Sequence, residues 1–478
     1  MVAIRRLVQA LREVLAPAGV IAGPAAGHAM LVDERGLYQG RAAAIVLPSS
    51  THELARAVRL CSDAGVAMVP QGGNTGYCGG ATPDRSGTQV LFNLSRMNRI
   101  IDLDAQSLTL TAQSGVVLAA AQNAAAEHDL LLPLSMGSEG SCQLGGNVST
   151  NAGGVAVLRY GTAKELVAGL EVVLPDGQIW SDLKGLRKDN TGYDLKQLFM
   201  GAEGTLGIIS TVVMRLQPRP RARIAAWLEV DDLACAVATL AHLRRCVGDC
   251  ITSVEFISKE ALALVLEQLE GTRDPLGGST NDHVLIEVVA FDDAALRMQS
   301  LSEALEGAME DRILANAVVA QSESQRQAFW HLRESIPVAE KLAGGSVKHD
   351  VSVEIASLGE FVHETLVAIL RAFPGCRPSV YGHVGDGNVH FNVLAPATGA
   401  AEVFKRDYAA DVSALVHDMT IRRGGSFSAE HGIGQLKREL LAQSANPVGL
   451  DLMHQIKKAI DPKGLMNPGK VLARLPLQ

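Results

Sequence analysis

At 478 residues the chain is longer than one hydrophobic core usually supports, so two or three domains are expected. A formal charge of -8, with no dense run of Lys and Arg, excludes a nucleic-acid surface, and an anionic ligand would need a local basic pocket. Seven scattered cysteines without a Cys-x-x-Cys pair exclude a disulfide framework or thiolate zinc site, and a reducing, cytoplasmic location is expected.

The first 16 residues carry Arg5, Arg6, Arg12 and Glu13, which argues against a signal peptide and leaves a short organelle-targeting helix open, with a first helix of the mature fold the simpler reading. Ile4, Leu7, Val8, Leu11 and Leu15 fall at helical spacing and predict an amphipathic first helix. No stretch offers the roughly 18 uncharged apolar residues that a membrane span requires. From 42 the pattern alternates: an apolar run ends at Pro48, Ser50-Thr51-His52-Glu53 reads as a capping box opening a helix, and 66–69 reads as a strand. That is the beginning of a βαβ unit. Segments 99–103 and 108–112 flank a polar turn, and 166–174 leads through Pro175-Asp176-Gly177 into 178–181, so both predict hairpins. The Pro- and Arg-rich stretch 218–223 interrupts regular structure and marks a boundary. A second α+β unit follows, with helices over 232–246 and 293–307 and a strand over 283–289, and the chain from 402 onward reads as mostly helical.

Three glycine-dense loops stand out. The first, Pro70-Gln71-Gly72-Gly73-Asn74-Thr75-Gly76, directly follows the strand at 66–69, where a backbone cradle for phosphate is useful. Its spacing matches neither G-x-G-x-x-G nor the P-loop. The others lie at 137–154 and 201–207. One such loop is an ordinary tight turn, whereas three in one domain suit a long ligand such as an extended dinucleotide.

The segment Tyr381-Gly382-His383-Val384-Gly385-Asp386-Gly387-Asn388-Val389-His390-Phe391-Asn392 carries the most informative chemistry. Histidines seven apart face opposite sides of a continuous strand, so the Gly385-Asp386-Gly387 turn is expected to fold the segment and bring them together. Ser428-Ala429-Glu430-His431-Gly432 adds a carboxylate beside another histidine. Two imidazoles and a carboxylate suit Zn²⁺ with positions open for substrate, and equally Mn²⁺ or Fe²⁺. Each histidine alone reads as a buried residue paired to a carbonyl; the surrounding glycines and the Glu-His pair favour the metal.

The strings at 71–80, 145–161 and 187–207 resemble the FAD domain of the vanillyl-alcohol oxidase flavoproteins, and over roughly 42–472 the chain most resembles their D-2-hydroxyglutarate dehydrogenase branch. The resemblance implies an α+β fold: a two-subdomain PCMH-type FAD-binding domain over 1–218, an α+β substrate (cap) domain over 219–400, and a mostly helical C-terminal segment over 401–478 completing the active site. It implies that Gln71, Gly72, Gly73, Asn74, Thr75 and Gly76 hold the FAD pyrophosphate, with Gly137, Ser138, Gly145, Asn147, Asn151 and Gly207 lining the remainder. With no histidine in the first loop, and with Cys78 at a normally aliphatic position read as a small core residue, the FAD is expected to be non-covalent.

The strings at 382–393 and 430–432 are similar to the family's metal motifs. They imply that His383, His390 and Glu430 ligate a divalent metal, zinc first, and that His431 is the base. Arg333 and Lys348 match substrate-facing basic positions and Asn392 a polar contact, while His349 departs from the aromatic commoner there. The activity implied is oxidation of a D-2-hydroxy acid. Two basic groups favour 2-hydroxyglutarate or malate over lactate, because a monocarboxylate would leave a buried cation unpaired. Lack of a quinone-seeking membrane segment favours a soluble electron acceptor such as electron-transfer flavoprotein, and a homodimer is expected at the family level. A metal hydrolase is the rival from another class, but H-E-x-x-H is absent and the flavin loops would go unexplained.

Overall fold

The computed structural model describes residues 2–15, 17–22, 28–278 and 280–473. It divides into two compact units, the first made of Met1–Gly154, Gly161–Arg219 and Glu430–Gln478, the second of Val155–Tyr160 and Pro220–Ala429.

In the first unit the amphipathic helix Val2–Leu15 buries Leu7, Leu11 and Leu15 against Leu54, Ala57, Val58 and Cys61 of the helix Thr51–Asp63. The predicted capping box is displaced by one residue. Ser50 Oγ accepts from the Glu53 amide at 3.2 Å, but the Glu53 carboxylate accepts from Ser49, from its amide at 2.7 Å and its hydroxyl at 2.8 Å. That helix connects Ala44–Val46 to Met68–Gln71, and Val90–Asn93 runs parallel between them. A second, antiparallel sheet has the order Ile100–Asp104, Thr109–Gln113, Ile208–Arg215, Val167–Val173, Ile179–Asp182. Both predicted hairpins are present, and the strand 208–215 joins them edge to edge, a long-range pairing that local patterning does not carry.

The second unit is built on an antiparallel sheet with Ala222–Val230, Asp282–Ala290 and Ile251–Ile257 at its centre, followed by Arg377–His383, Asn388–Leu394 and Ser346–Val347. Alternation along Ala222–Val230 serves two cores. Ile224, Ala226 and Leu228 meet the helices Leu233–Val247, Ala294–Glu310 and Leu358–Ala372, whereas Ala225 and Trp227 meet Lys259–Gln268, Glu323–Glu334 and Ile336–Leu342.

The compact units differ from the three consecutive segments expected, because 401–478 does not stand as one piece. The helix Ala401–Arg422 buries Phe404, Val412 and Val416 in the core of the second unit. Beyond Glu430 the chain is tied to the first unit: Met68 donates to the Leu465 carbonyl, Asn467 donates to the Met68 carbonyl, and Lys457 Nζ reaches the Thr205 carbonyl at 2.6 Å. Conversely, Val155–Tyr160 belongs to the second unit, where the Ser253 hydroxyl donates to the Val155 carbonyl at 2.6 Å.

Asp282, at the start of its strand, accepts from the amide of Lys259, the first residue of a helix, at 2.9 Å. Burial pushes its carboxyl up to about 6, the Lys259 amide opposes this, and Glu260 adds to it. Between 3.8 and about 6 the native state therefore holds a proton that the unfolded chain has released. The associated stability is complete below the unfolded value and lost as pH rises through about 6. Asp282→Asn keeps an acceptor for the amide and should raise stability by about 1–2 kcal/mol near neutral pH, after discounting for partial exposure. Denaturant midpoints should show the gain shrinking as pH falls toward 4.

Candidate cofactor and active site

In the first unit the side chains of the first glycine loop are used to hold its shape. Gln71 Nε2 donates to the carbonyls of Met30 at 2.9 Å and Ala81 at 3.0 Å, and Gln71 Oε1 accepts from Asn93 at 3.0 Å. Asn74 sits at φ 57° and its amide donates to the Val32 carbonyl at 2.7 Å. The backbone is thereby fixed while, among the described residues, the amides of 72–76 donate no hydrogen bond within the protein. A row of amides held this way suits an anionic ligand.

The other expected FAD residues divide by role. A Cβ at Gly76 or Gly137 would meet nothing within 4 Å, so the chain is open there, and the Ser138 carbonyl accepts from the Ser141 and Cys142 amides to shape its turn. Gly145 and Gly207 are packing glycines, whose Cβ atoms would lie 2.4 Å from Ser114 Cβ and 2.7 Å from Val172 Cγ1. The Asn147 amide reaches Cys142 Sγ at 3.4 Å, and Asn151, at φ 52°, accepts from Lys164 N and the Thr162 hydroxyl at 2.9 Å each. Ser114 Oγ and Gln143 Oε1 are buried beside these loops without a partner among the described residues. Free amides, open glycines and unsatisfied buried polar atoms in one unit fit a long phosphate-bearing ligand. A Cβ at Gly73 would lie 2.2 Å from the Ser141 carbonyl oxygen. Gly73→Ala should therefore displace the loop at about 1–3 kcal/mol, weakening flavin retention tenfold or more. The flavin-to-protein absorbance ratio after gel filtration reads this.

The same unit positions His431. Glu203, at φ 51° in the third glycine loop, accepts from the amides of Ile433 at 2.7 Å and Gly434 at 2.9 Å. Burial pushes the Glu203 carboxyl up, and the two amides oppose that. The Cys78 thiol donates to the Gly432 carbonyl at 3.2 Å, and the Tyr77 ring meets His431 edge-on at 4.8 Å between centroids. His431 is thus fastened beside the first glycine loop. Sequence reasoning missed Glu203, although a carboxylate between two glycines was a visible signal.

In the second unit the hairpin Arg377–His383 and Asn388–Leu394 turns through Gly387, at φ 77°. Its register pairs Tyr381 with His390 and His383 with Asn388, so both histidines project from one face, with ring centroids 5.6 Å apart. A donor atom of each lies within 4.8 Å of the other, within reach of a single ion. His383 Nδ1 donates to Glu255 Oε1 at 2.7 Å, so Nε2 is the nitrogen a metal would take. Imidazole nitrogens, one ring anchored through Nδ1 by a carboxylate, fit zinc or a similar ion.

Each expected substrate-facing residue already touches a buried carboxylate. Arg333, 6% exposed, donates from Nε to Glu255 Oε2 at 2.9 Å, its Nη2 is ion-paired with the same oxygen at 2.8 Å, and the guanidinium lies 4.7 Å from the Tyr381 ring centre. Lys348 Nζ reaches Glu340 Oε2 at 2.7 Å, and the Asn392 amide donates to both Glu340 oxygens. The premise that a monocarboxylate would strand an unpaired cation therefore fails, since Glu255 and Glu340 neutralise both. Selectivity must come from the donors these cations retain. His349, the local departure, is turned inward between the Phe391 carbonyl at 2.6 Å and the Ser413 hydroxyl at 3.0 Å. Glu255 and Glu340, both wholly buried, escaped sequence reasoning; a lone charged residue in the strand Ile251–Ile257 was the available clue.

Comparison with known proteins identifies the family. Residues 42–182 match the FAD binding domain family and residues 219–471 the C-terminal domain of FAD linked oxidases. The probable mitochondrial D-2-hydroxyglutarate dehydrogenase of Oryza sativa subsp. japonica is 36% identical over 464 residues, 96% of this chain and 80% of that protein. The mitochondrial D-2-hydroxyglutarate dehydrogenase of Arabidopsis thaliana is 37% identical over 437 residues, 91% of this chain and 76% of that protein. The solved structure of p-cresol methylhydroxylase with substrate bound superimposes with a TM-score of 0.75 over 98% of this chain and 97% of its own, at 18% identity, which gives the PCMH-type fold. Both plant relatives carry "mitochondrial" in their names, and this overturns the expectation of a cytoplasmic location. Unpaired cysteines indicate a reducing interior, which is not peculiar to the cytoplasm.

Proposed function

Since the chain belongs to the D-2-hydroxyglutarate dehydrogenase family of FAD-linked oxidases and is an FAD-dependent D-2-hydroxy-acid dehydrogenase, we propose that its substrate is D-2-hydroxyglutarate, with D-malate next, and that it works with a divalent metal, zinc first. His383, His390 and Glu430 are the proposed ligands. The observation that carries the metal reading is the hairpin face on which His383 and His390 stand together while Glu255 takes His383 Nδ1.

When bound, FAD supplies the hydride acceptor, and the ion supplies Lewis acidity toward the substrate hydroxyl and carboxylate. The amides of 72–76 hold the pyrophosphate, and the packing glycines and asparagines of the other two loops keep its path. The FAD is non-covalent: the first loop contains no histidine, and the Cys78 thiol is turned to the Gly432 carbonyl. His431 accepts the hydroxyl proton. Arg333, through the edge not bound to Glu255, and Lys348, through its remaining donors, take the far carboxylate, with Asn392 holding Glu340 in place. The proposed electron acceptor is a soluble carrier such as electron-transfer flavoprotein; no helix among the described residues is long and apolar enough to cross a membrane. Steady-state rates with an acceptor dye should rank D-2-hydroxyglutarate above D-malate and both above D-lactate; a tenfold lead for D-lactate would remove Lys348 and Arg333 from substrate recognition.

A further inference from the structure

We infer that Glu255 is a positioning residue that sets the metal-site imidazole and the substrate-site guanidinium together, an inference that rests on the metal reading of His383 proposed above. Glu255 lies at the middle of the sheet on Ile251–Ile257, directly opposite His383 in the register, and is 0% exposed. Its two oxygens are divided. Oε1 takes His383 Nδ1 at 2.7 Å, while Oε2 takes Arg333 Nε at 2.9 Å and Nη2 at 2.8 Å.

Removing a carboxylate from water this completely is costly, and the compensation here comes from two groups of different function. An ion pair serving only to pin the helix Glu323–Glu334 to the sheet would need Arg333 alone. The bond to His383 has a separate chemical consequence. A carboxylate accepts only, so Nδ1 must carry the hydrogen, and the tautomer that presents Nε2 as an electron-pair donor is fixed. Arg333 is constrained on its other side by the Tyr381 ring, and Tyr381 pairs in register with His390. One buried carboxylate thereby connects the elements bearing both histidines to the guanidinium proposed to take the far carboxylate.

The test uses FAD-loaded protein freed of metal with a chelator and titrated with Zn²⁺ against a chromophoric indicator. Outer-shell partners of this type carry about 10- to 100-fold in metal affinity, so Glu255→Gln should weaken Zn²⁺ binding by that factor while the flavin spectrum is unchanged. Because Glu255→Gln leaves the Arg333 charge buried and can unfold the protein, the double variant Glu255→Gln/Arg333→Met removes that charge. It should regain the wild-type unfolding midpoint and still bind Zn²⁺ at least tenfold more weakly, whereas Arg333→Met alone stays within twofold of wild type. His383→Ala is the reference for the underlying reading: unchanged Zn²⁺ affinity there overturns the metal site itself. If His383→Ala loses Zn²⁺ but both variants carrying Glu255→Gln bind it within twofold of wild type, the positioning role of Glu255 is overturned.

Discussion

His431→Ala should lower kcat by about 10²- to 10⁴-fold with FAD still bound, the range expected when a positioned general base is removed. The chemical reason is that hydride leaves a secondary alcohol poorly while the oxygen keeps its proton. The structural reason the cofactor should survive is that the His431 loop is held by main-chain bonds, namely Glu203 to the Ile433 and Gly434 amides and Cys78 to the Gly432 carbonyl. None of these uses the imidazole. Rapid mixing of the variant with D-2-hydroxyglutarate should show slow flavin reduction at normal flavin content. Loss of flavin on purification would instead assign His431 to holding the cofactor.

His390→Ala should abolish stoichiometric zinc and cost about two to four orders of magnitude in flavin reduction. Lewis-acid stabilisation of developing alkoxide charge is worth several kcal/mol, and each 1.4 kcal/mol is tenfold in rate. The substitution is mild for the fold, because His390 is only partly buried and the strand Asn388–Leu394 keeps its pairing with Arg377–His383 and with Asp350–Ser352. Metal analysis of the purified variant, beside its unfolding midpoint, separates loss of the ion from loss of structure.

Much of this was legible in the sequence because it is local. The Gly385-Asp386-Gly387 turn requires a hairpin, and the hairpin places His383 and His390 on one face. The glycine loops announce a phosphate ligand through residue type and position after a strand. What escaped depends on distant pairing. Whether Asn151 or Asn74 touches a ligand or its own backbone is decided by a left-handed φ and by carbonyls far along the chain, such as those of Ala29 and Val32. The partition of 401–478 between two units follows from Met466 and Lys457 docking beside Met68 and Thr205, contacts with no local signature. Glu255 and Glu340 look like ordinary acids until the fold buries them against Arg333 and Lys348. They are also what altered the account of specificity, by neutralising cations that the sequence presented as unpaired.

The most direct test is anaerobic reduction of the bound flavin by D-2-hydroxyglutarate, followed in the visible band before and after chelator treatment. The oxidised spectrum should bleach with substrate, bleach at least about a hundredfold more slowly once the metal is removed, and recover its rate when Zn²⁺ is returned. Equal bleaching with and without the metal would contradict the role given to His383, His390 and Glu430.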